Sequence, residues 1–497
     1  MHGGIGWDTA PDTASLLVVR SIHSSSTLAQ AYAQAPNNYE FYGPFVQQAA
    51  DLAHRVVTGS EAPLAANNPT TYVYQGAVNL FLSVLAISVL AVAVWIAFGS
   101  LLAGAFAWSL TLTTPLWIGM SHVDFKDVPA AAGITLETAG LLIAFSLGRR
   151  RAAALAGGAA GAVGGAVALA TRPGTFLLLV GIALAGGAAA GARGLADRRI
   201  ASAFPTAVTA VSTIVGALAV TWLSDPIARI DMPRWLLDTA KADHPIAWVG
   251  TIRTAGKDVL STNLPWWYVP AWLGAQLPLL TIVAVVGGIG VLCVVLLRRP
   301  WTRPLALVPL SVQSVLVPVG IVATGGVLYD GIRHLLFIVP ALIALSAVAV
   351  ALLDRGSRHS RRWLNVSLSV FAVAAVATSF AAVVQWAPYE YAYINPIAGR
   401  HPSHRSWELD YWGVSAREGI RRLRAAGLTS IYVEPSPTPG IPYGANQGKP
   451  TPGPRVGLYV FLRWNADPSA YGCKTIFTIS RGGHVLGEGA RCPANPG

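Results

Sequence analysis

Apolar runs broken by short polar stretches dominate the chain between residues 76 and 385. About twenty apolar residues are needed to cross a hydrocarbon core. On that criterion ten spans are predicted, near 76–96, 100–118, 129–148, 152–171, 175–192, 202–223, 272–297, 304–324, 334–353 and 363–385. The chain thus divides into an N-terminal stretch (1–75), a transmembrane domain (76–385) and a polar C-terminal domain (386–497). Within the first, Phe45 to Val57 (FVQQAADLAHRVV) carries apolar residues at helical spacing and suits a helix lying along an interface. The Ala/Gly-rich run Ala152 to Ala192 has little bulk, so its helices can approach backbone to backbone. Asn263 to Trp272 (NLPWWYVPAW) offers aromatics at headgroup level, either as an anchor or as support for a lipid substrate.

Beyond Trp386 the pattern changes. Ala416 to Gly427 (AREGIRRLRAAG) reads as a helix, and TSIYVEP, GLYVFLRW and CKTIFTI read as strands by alternation and β-branching. A Pro/Gly-rich loop, Pro435 to Pro454, lies among them. The predicted fold is therefore mostly α: a polytopic helical membrane protein with a small soluble α/β domain at its C-terminus. A docked lid, an acceptor-binding module and plain structural support all stay open as roles for that domain.

Composition agrees with this class. The 497 residues are 53% hydrophobic and 12% charged, with mean hydropathy +0.51, whereas soluble domains carry roughly 25% charge. The net charge of +12 does not point to nucleic acid, because the arginines cluster between spans and so report topology. The loops holding Arg149–Arg151, Arg193–Arg199, Arg298–Arg303 and Arg355–Arg362 fall on one side, the cytoplasmic one. Of the 23 acidic residues only Asp197 and Asp354 lie in those loops. The N-terminal stretch, the loop over 224–270, Asp330 and everything after Trp386 are then expected on the outer face of the cell membrane. An N-terminal stretch on that face calls for a preceding helix, which would make eleven, or for translocation as a short tail. Cys473 and Cys492 lie in the outer domain, where disulfides persist, and would face each other across a hairpin turning at Gly482-Gly483.

Two polar clusters interrupt the apolar pattern. Trp117 to Pro129 (WIGMSHVDFKDVP) holds His122, Asp124, Lys126 and Asp127, and reads either as a solvated loop or as a site facing the membrane surface. The Lys126-Asp127 pair also suits a salt bridge at the start of the third span, with Pro129 in its first turn. Leu328 to Pro340 (LYDGIRHLLFIVP) puts Asp330, Arg333 and His334 at the outer mouth of the ninth span. Guanidinium forks onto phosphate oxygens and imidazole adds a donor, although an arginine at a helix end can equally snorkel to water.

These motifs, in this order and on one side, resemble the GT-C superfamily of membrane glycosyltransferases, which includes dolichyl-phosphate-mannose protein mannosyltransferases and the bacterial aminoarabinose and RgtA-like transferases. The resemblance is carried by GIGWD with Asp8, YEFYG (Tyr39 to Gly43), the KDVP that ends at Pro129, YDGIRHLLFIVP, and YEYAYINPIAG through WELDYWGVS (Tyr389 to Ser415). It implies transfer of a sugar from a polyprenyl-phosphate carrier to a lipid, glycan or protein acceptor at the outer face, with inversion. Asp8 matches the position of the general base. Lys126, Arg333 and His334 would bind the donor phosphate, with Glu40, Asp124, Asp127 and Asp330 as supporting acidic residues. The resemblance also implies a divalent metal near the phosphate, for which Glu40, His122, Asp124 and Asp127 are the candidate ligands. Trp7-Asp8-Thr9 replaces the paired Asp-Glu of the protein mannosyltransferases, which weighs against a protein acceptor. If these loops form one site, Asp8, Lys126, Asp127 and Arg333 should line one outward-facing cavity.

The alternative class is a transporter or flippase of a polyprenyl-linked lipid. Such proteins place ionisable residues inside their spans, and here Glu137 alone among the acidic residues lies there.

Overall fold

The computed structural model describes residues 9–493 except 23–24, 37–38, 63, 66–67, 148–150, 197, 243–248, 299–303, 357–361, 401–405, 437, 439, 448, 451–452 and 462–466. Three helices precede the membrane part: α1 (Thr9–Arg20), α2 (Leu28–Gln34) and α3 (Phe45–Thr58). On α3, Leu52, Val56 and Val57 are left exposed.

Local chemistry sets where the first spans start and stop. Asn68 caps α4 (Pro69–Phe98) by accepting the N–H of Thr70 at 2.9 Å, and Pro69 fills the first position, where no N–H is needed. Gly99, at φ 58°, ends the helix, and Ser100 then caps α5 (Leu101–Leu112). The single span expected near 100–118 is instead two helices, α5 and α6 (Pro115–Val123), bent by 55°. Pro115 cannot donate into the ladder. The hydroxyls of Thr113 and Thr114 return to Ser109 O and Leu110 O at 2.8 and 2.7 Å.

Helix α7 (Asp127–Leu147) is the central one, with 89% of its apolar window buried. It packs against α4 and against α8 (Arg151–Thr171). The small-residue run does what small residues allow in a membrane: a Cβ on Gly164 would come 2.5 Å from Gly133 O. Helices α9 (Phe176–Ala196) and α10 (Phe204–Ser224) follow, then an excursion between spans with α11 (Met232–Ala242), the hairpin β1 (Thr251–Thr254) and β2 (Lys257–Leu260), and α12 (Tyr268–Gln276).

The seventh span starts later than expected. Leu277 is extended ahead of Pro278, so α12 stops and α13 (Leu279–Arg298) begins separately. The aromatics of this stretch divide: Trp266 is exposed, while Tyr268 and Trp272 are buried and bond to Gly331 O at 2.9 Å and Thr254 Oγ1 at 3.1 Å. The eighth span is irregular, with α14 (Val308–Ser311), a π turn (Val312–Leu316) and α15 (Val317–Ala323). The π turn precedes Pro318, whose missing N–H interrupts the ordinary ladder. Helices α16 (Ile338–Gly356) and α17 (Arg362–Trp386) complete the membrane part. Among the described residues seven helices are long and apolar enough to span, the bent pair adds one, and two shorter apolar helices are Leu279–Val295 and Ile338–Leu353.

The C-terminal part places α18 (Ala416–Ala425) across a four-stranded sheet in the order β3-β4-β6-β5, formed by β3 (Ser430–Glu434), β4 (Val456–Phe461), β5 (Lys474–Arg481) and β6 (His484–Cys492). β3 and β4 are parallel and the other pairs antiparallel. Gly482 and Gly483 both take positive φ and turn the β5-β6 hairpin. Cys473 and Cys492 are bonded at its open end, with Cα atoms 4.1 Å apart.

Candidate active site

The site is built on the turn that joins α6 to α7. Asp124 Oδ1 accepts the N–H groups of Lys126 and Asp127 at 3.1 and 2.8 Å, which tightens the turn. Asn79 of α4 holds it from beneath, donating to Ser121 O at 2.8 Å and Asp124 O at 2.9 Å. Asp124 Oδ2 is buried with no partner among the described residues. Burial pushes this carboxyl above the usual carboxylate range, against the pull of Arg333, the Lys126 N–H, Lys126 and Arg172.

From this turn Lys126 and Asp127 point to different partners. Lys126 Nζ meets Asp12 Oδ2 of α1 at 2.7 Å and lies 4.9 Å from the ring centre of Tyr42. The Tyr39 hydroxyl donates to the other oxygen of Asp12. Asp127 is gripped from two sides, by Arg172 at its Oδ1 and by Arg333 at its Oδ2, the latter at 3.2 Å.

Arg333 is brought back by a left-handed turn, with Asp330 at φ 55° and Gly331 at φ 71°. Aspartate tolerates this region better than most residues, and glycine has no Cβ to clash. Arg333 then closes a second pair with Asp330 at 3.2 Å and lies 4.8 and 5.3 Å from the ring centres of Tyr329 and Trp412. Its side chain is 1% exposed. His334 packs edge-on to Tyr329 with centroids 4.6 Å apart, and its Nδ1 is buried without a partner among the described residues. Burial, together with Arg333, Arg172 and Lys126, holds this imidazole well below its ordinary range, so it is neutral at pH 7.

A cavity of about 570 Å³ opens beside the ion pairs. Asp127, Arg172, Tyr329 and His334 line it, as do Ile134, Leu177, Leu178, Val317 and Ile321 from three helices and Phe337 from the turn before α16. Phe41, Tyr42 and Thr239 also line it. The lining is amphipathic: one cation, Arg172, with Asp127 and a neutral imidazole, beside apolar side chains of the membrane helices.

The expected residues therefore separate into two groups. Asp124, Lys126, Asp127, Asp330, Arg333 and His334 come together, but of the described residues expected to line one cavity Asp127 alone lines this one: Lys126 is drawn to Asp12 and Arg333 is enclosed. Asp8 lies outside the described residues. Glu40 belongs elsewhere: its carbonyl accepts Trp235 Nε1 at 2.8 Å, and its buried carboxyl, raised above the usual range by burial, acts on Tyr32. His122 is engaged elsewhere as well, with Nδ1 on Ile118 O at 2.8 Å. The metal set of Glu40, His122, Asp124 and Asp127 is thus not assembled, and no group of three or more His, Cys, Asp or Glu suited to a cation occurs among the described residues. Asp127 is already committed to two arginines and Asp124 by one oxygen to backbone N–H groups, and with Glu40 and His122 engaged elsewhere the expected ligand set does not fit a divalent metal.

Arg172 is the residue that sequence reading missed. It sits in the short loop between the two Ala/Gly-rich spans, on the side otherwise without arginine clusters, and that breach of the charge alternation was its signal.

No family model and no curated protein matches the chain. Among solved structures it is similar to ArnT from Cupriavidus metallidurans bound to undecaprenyl phosphate, at 15% identity and a TM-score of 0.43 over 96% of each chain. The apo form of that protein matches at 14% identity and 0.43, over 96% of this chain and 93% of that one. The Archaeoglobus fulgidus oligosaccharyltransferase tethered with an acceptor peptide matches at 12% identity and 0.39, over 75% of this chain and 54% of that one. Likenesses this distant assign no chemistry to the chain.

Proposed function

We propose that the protein is an integral membrane glycosyltransferase that moves a sugar from a polyprenyl-phosphate carrier to an acceptor at the outer face. The observation that carries this reading is the amphipathic cavity, lined by Arg172, His334 and Asp127 together with apolar side chains of the membrane helices. An anionic head on a hydrocarbon chain is the ligand such a cavity fits. Arg172, which lines the cavity, is preorganised by Asp127, itself held by Arg333, so it needs little rearrangement to meet phosphate oxygens.

In this reading the acceptor hydroxyl attacks the anomeric carbon, the bond from that carbon to the phosphate oxygen breaks, and the configuration inverts. A carboxylate takes the hydroxyl proton. Asp8, directly before α1, is the proposed base. Asp12, one helical turn on and paired with Lys126, is the alternative. The leaving phosphate needs charge stabilisation more than a proton, and Lys126, Arg172 and Arg333 supply it. The sugar is a hexose or pentose, and the acceptor a lipid, glycan or protein of the cell envelope.

A second reading, movement of a polyprenyl-linked lipid across the bilayer, draws on Glu137. Both of its carboxyl oxygens are buried inside α7 with no partner among the described residues. One experiment separates the two: the purified protein in vesicles is given candidate polyprenyl-phosphate sugars and scored for sugar release or transfer and for transbilayer movement. Movement without either would overturn the glycosyltransferase reading.

A further inference from the structure

The loop that follows β3 makes a contact that docking of the C-terminal domain does not require. That domain is already fastened at the end of α17. Arg481 Nε donates to Ala387 O at 3.0 Å, the Tyr389 hydroxyl donates to Glu418 at 2.8 Å, His484 stacks on Trp386, and the Tyr391 hydroxyl donates to Asp410. Apart from these, Tyr443 leaves the domain and packs against the cluster of Val46, Tyr72 and Phe125. Phe125, 8% exposed, lies inside the turn that presents Lys126 and Asp127.

The segment Gly440–Asn446 that carries Tyr443 is itself held firmly. Arg424 Nη2 donates to Tyr443 O at 2.7 Å and to Gly444 O at 3.3 Å, and the Arg417 guanidinium lies 5.5 Å from the Tyr443 ring centre. Asn446 is tied to β3 by its N–H on Ile431 O at 2.7 Å and its Nδ2 on Ser430 Oγ at 2.6 Å. The turn is thus held by Asn79 beneath, by Asp124 within, and by Tyr443 and its neighbours at Phe125.

We infer that Gly440–Asn446 is a strap for the Asp124–Asp127 turn, and that Tyr443 is a positioning residue that sets Lys126 through Phe125. This rests on the site described above, and it gives the C-terminal domain a part in the chemistry. Small displacements of a charge-stabilising group cost rate: a shift of about 1 Å can cost about 100-fold. Because Lys126 is needed where charge develops on the leaving phosphate, loss of the strap should lower kcat more than it raises the donor KM.

The test compares full-length wild type, Tyr443→Ala, Tyr443→Phe and the docking control Arg481→Ala in detergent. Hydrogen exchange is followed over residues 120–130, and turnover on a polyprenyl-phosphate sugar is measured. In Tyr443→Ala, exchange at the Asp124–Asp127 amides should quicken about tenfold and kcat fall about 10- to 100-fold, with the donor KM within about threefold. Tyr443→Phe, which keeps the ring, should match wild type, and Arg481→Ala should leave exchange in the turn unchanged. Unchanged exchange in Tyr443→Ala, or a raised KM with kcat intact, would overturn the strap. If exchange quickens as expected but wild type itself transfers no sugar, the strap stands and the glycosyltransferase reading fails.

Discussion

Arg333 Nη1 and Asp127 Oδ2, 206 positions apart in the chain, meet at 3.2 Å where α7 begins, with side chains 1% and 2% exposed. A pair so far from water contributes chiefly by not being broken. Removing one partner strands a buried charge, at about 3–5 kcal/mol. Arg333→Ala should therefore destabilise the protein by about 3–5 kcal/mol: Arg172 still neutralises Asp127, but buried Asp330 loses its arginine. Thermal unfolding in detergent of Arg333→Ala, Asp127→Asn and the double variant would read this as a strong coupling in the cycle; additive losses would count against it.

Arg172 should behave differently. Its side chain is 27% exposed, so Arg172→Ala should cost little stability while turnover falls about 10²- to 10³-fold, as when a charge-stabilising donor is removed. The same preparations measured for melting and for sugar transfer decide it. A large melting shift with normal turnover would make Arg172 structural.

Asp8→Asn keeps the side-chain shape but cannot take a proton, and a general base is worth about 10²- to 10⁴-fold. Transfer should fall by that amount with the melting temperature unchanged. If Asp8→Asn turns over near normally while Asp12→Asn does not, the base is Asp12.

Asp410 gives a pH dependence with a defined sign. Burial pushes its carboxyl from 3.8 up to about 6, although the hydroxyls of Ser415 and Tyr391 and the N–H groups of Ser415 and Val414 pull the other way. The folded state then holds a proton that the unfolded chain has released. The contribution is full below pH 3.8 and is lost as pH rises through about 6, amounting to about 3 kcal/mol. The stability difference between wild type and Asp410→Asn, followed by melting from pH 4 to pH 8, should shift against wild type across that window. A flat difference would count against it.

The bond between Cys473 and Cys492 closes a loop across 19 positions. In the chain-entropy model a loop of this size is worth about 3 kcal/mol. Reduction, or the paired change to serine, should lower the melting temperature of the C-terminal domain, and alkylation before reduction should label neither residue.

Much of this architecture depends on features that act locally, and those were legible in the chain. Apolar run length decides which segments enter a membrane, because unpaired backbone has no place there. Small residues decide which helices can touch, and the β5 alternation with the Gly482-Gly483 turn placed the two cysteines opposite each other. The polar residues from Asp124 to Asp127 and from Asp330 to His334 announced a site because each is costly at a membrane boundary. Only the tertiary structure decided which of them share it. His122 and Asp124 are two positions apart, but the helix ends between them: His122 bonds back to Ile118 O within α6, while extended Asp124 caps the turn. Glu40 parts from its neighbour Tyr39: the tyrosine reaches Asp12, whereas Glu40 is buried and its carbonyl accepts Trp235 Nε1. Breaks at Pro115, Pro278 and Pro318 lie inside apolar runs that hydropathy alone treats as continuous. Arg172, Asp127 and Arg333 come from three separate stretches, and no local rule pairs them. Packing of α7 against its neighbours brings them within reach, and the cost of leaving any one of these charges buried alone holds them there.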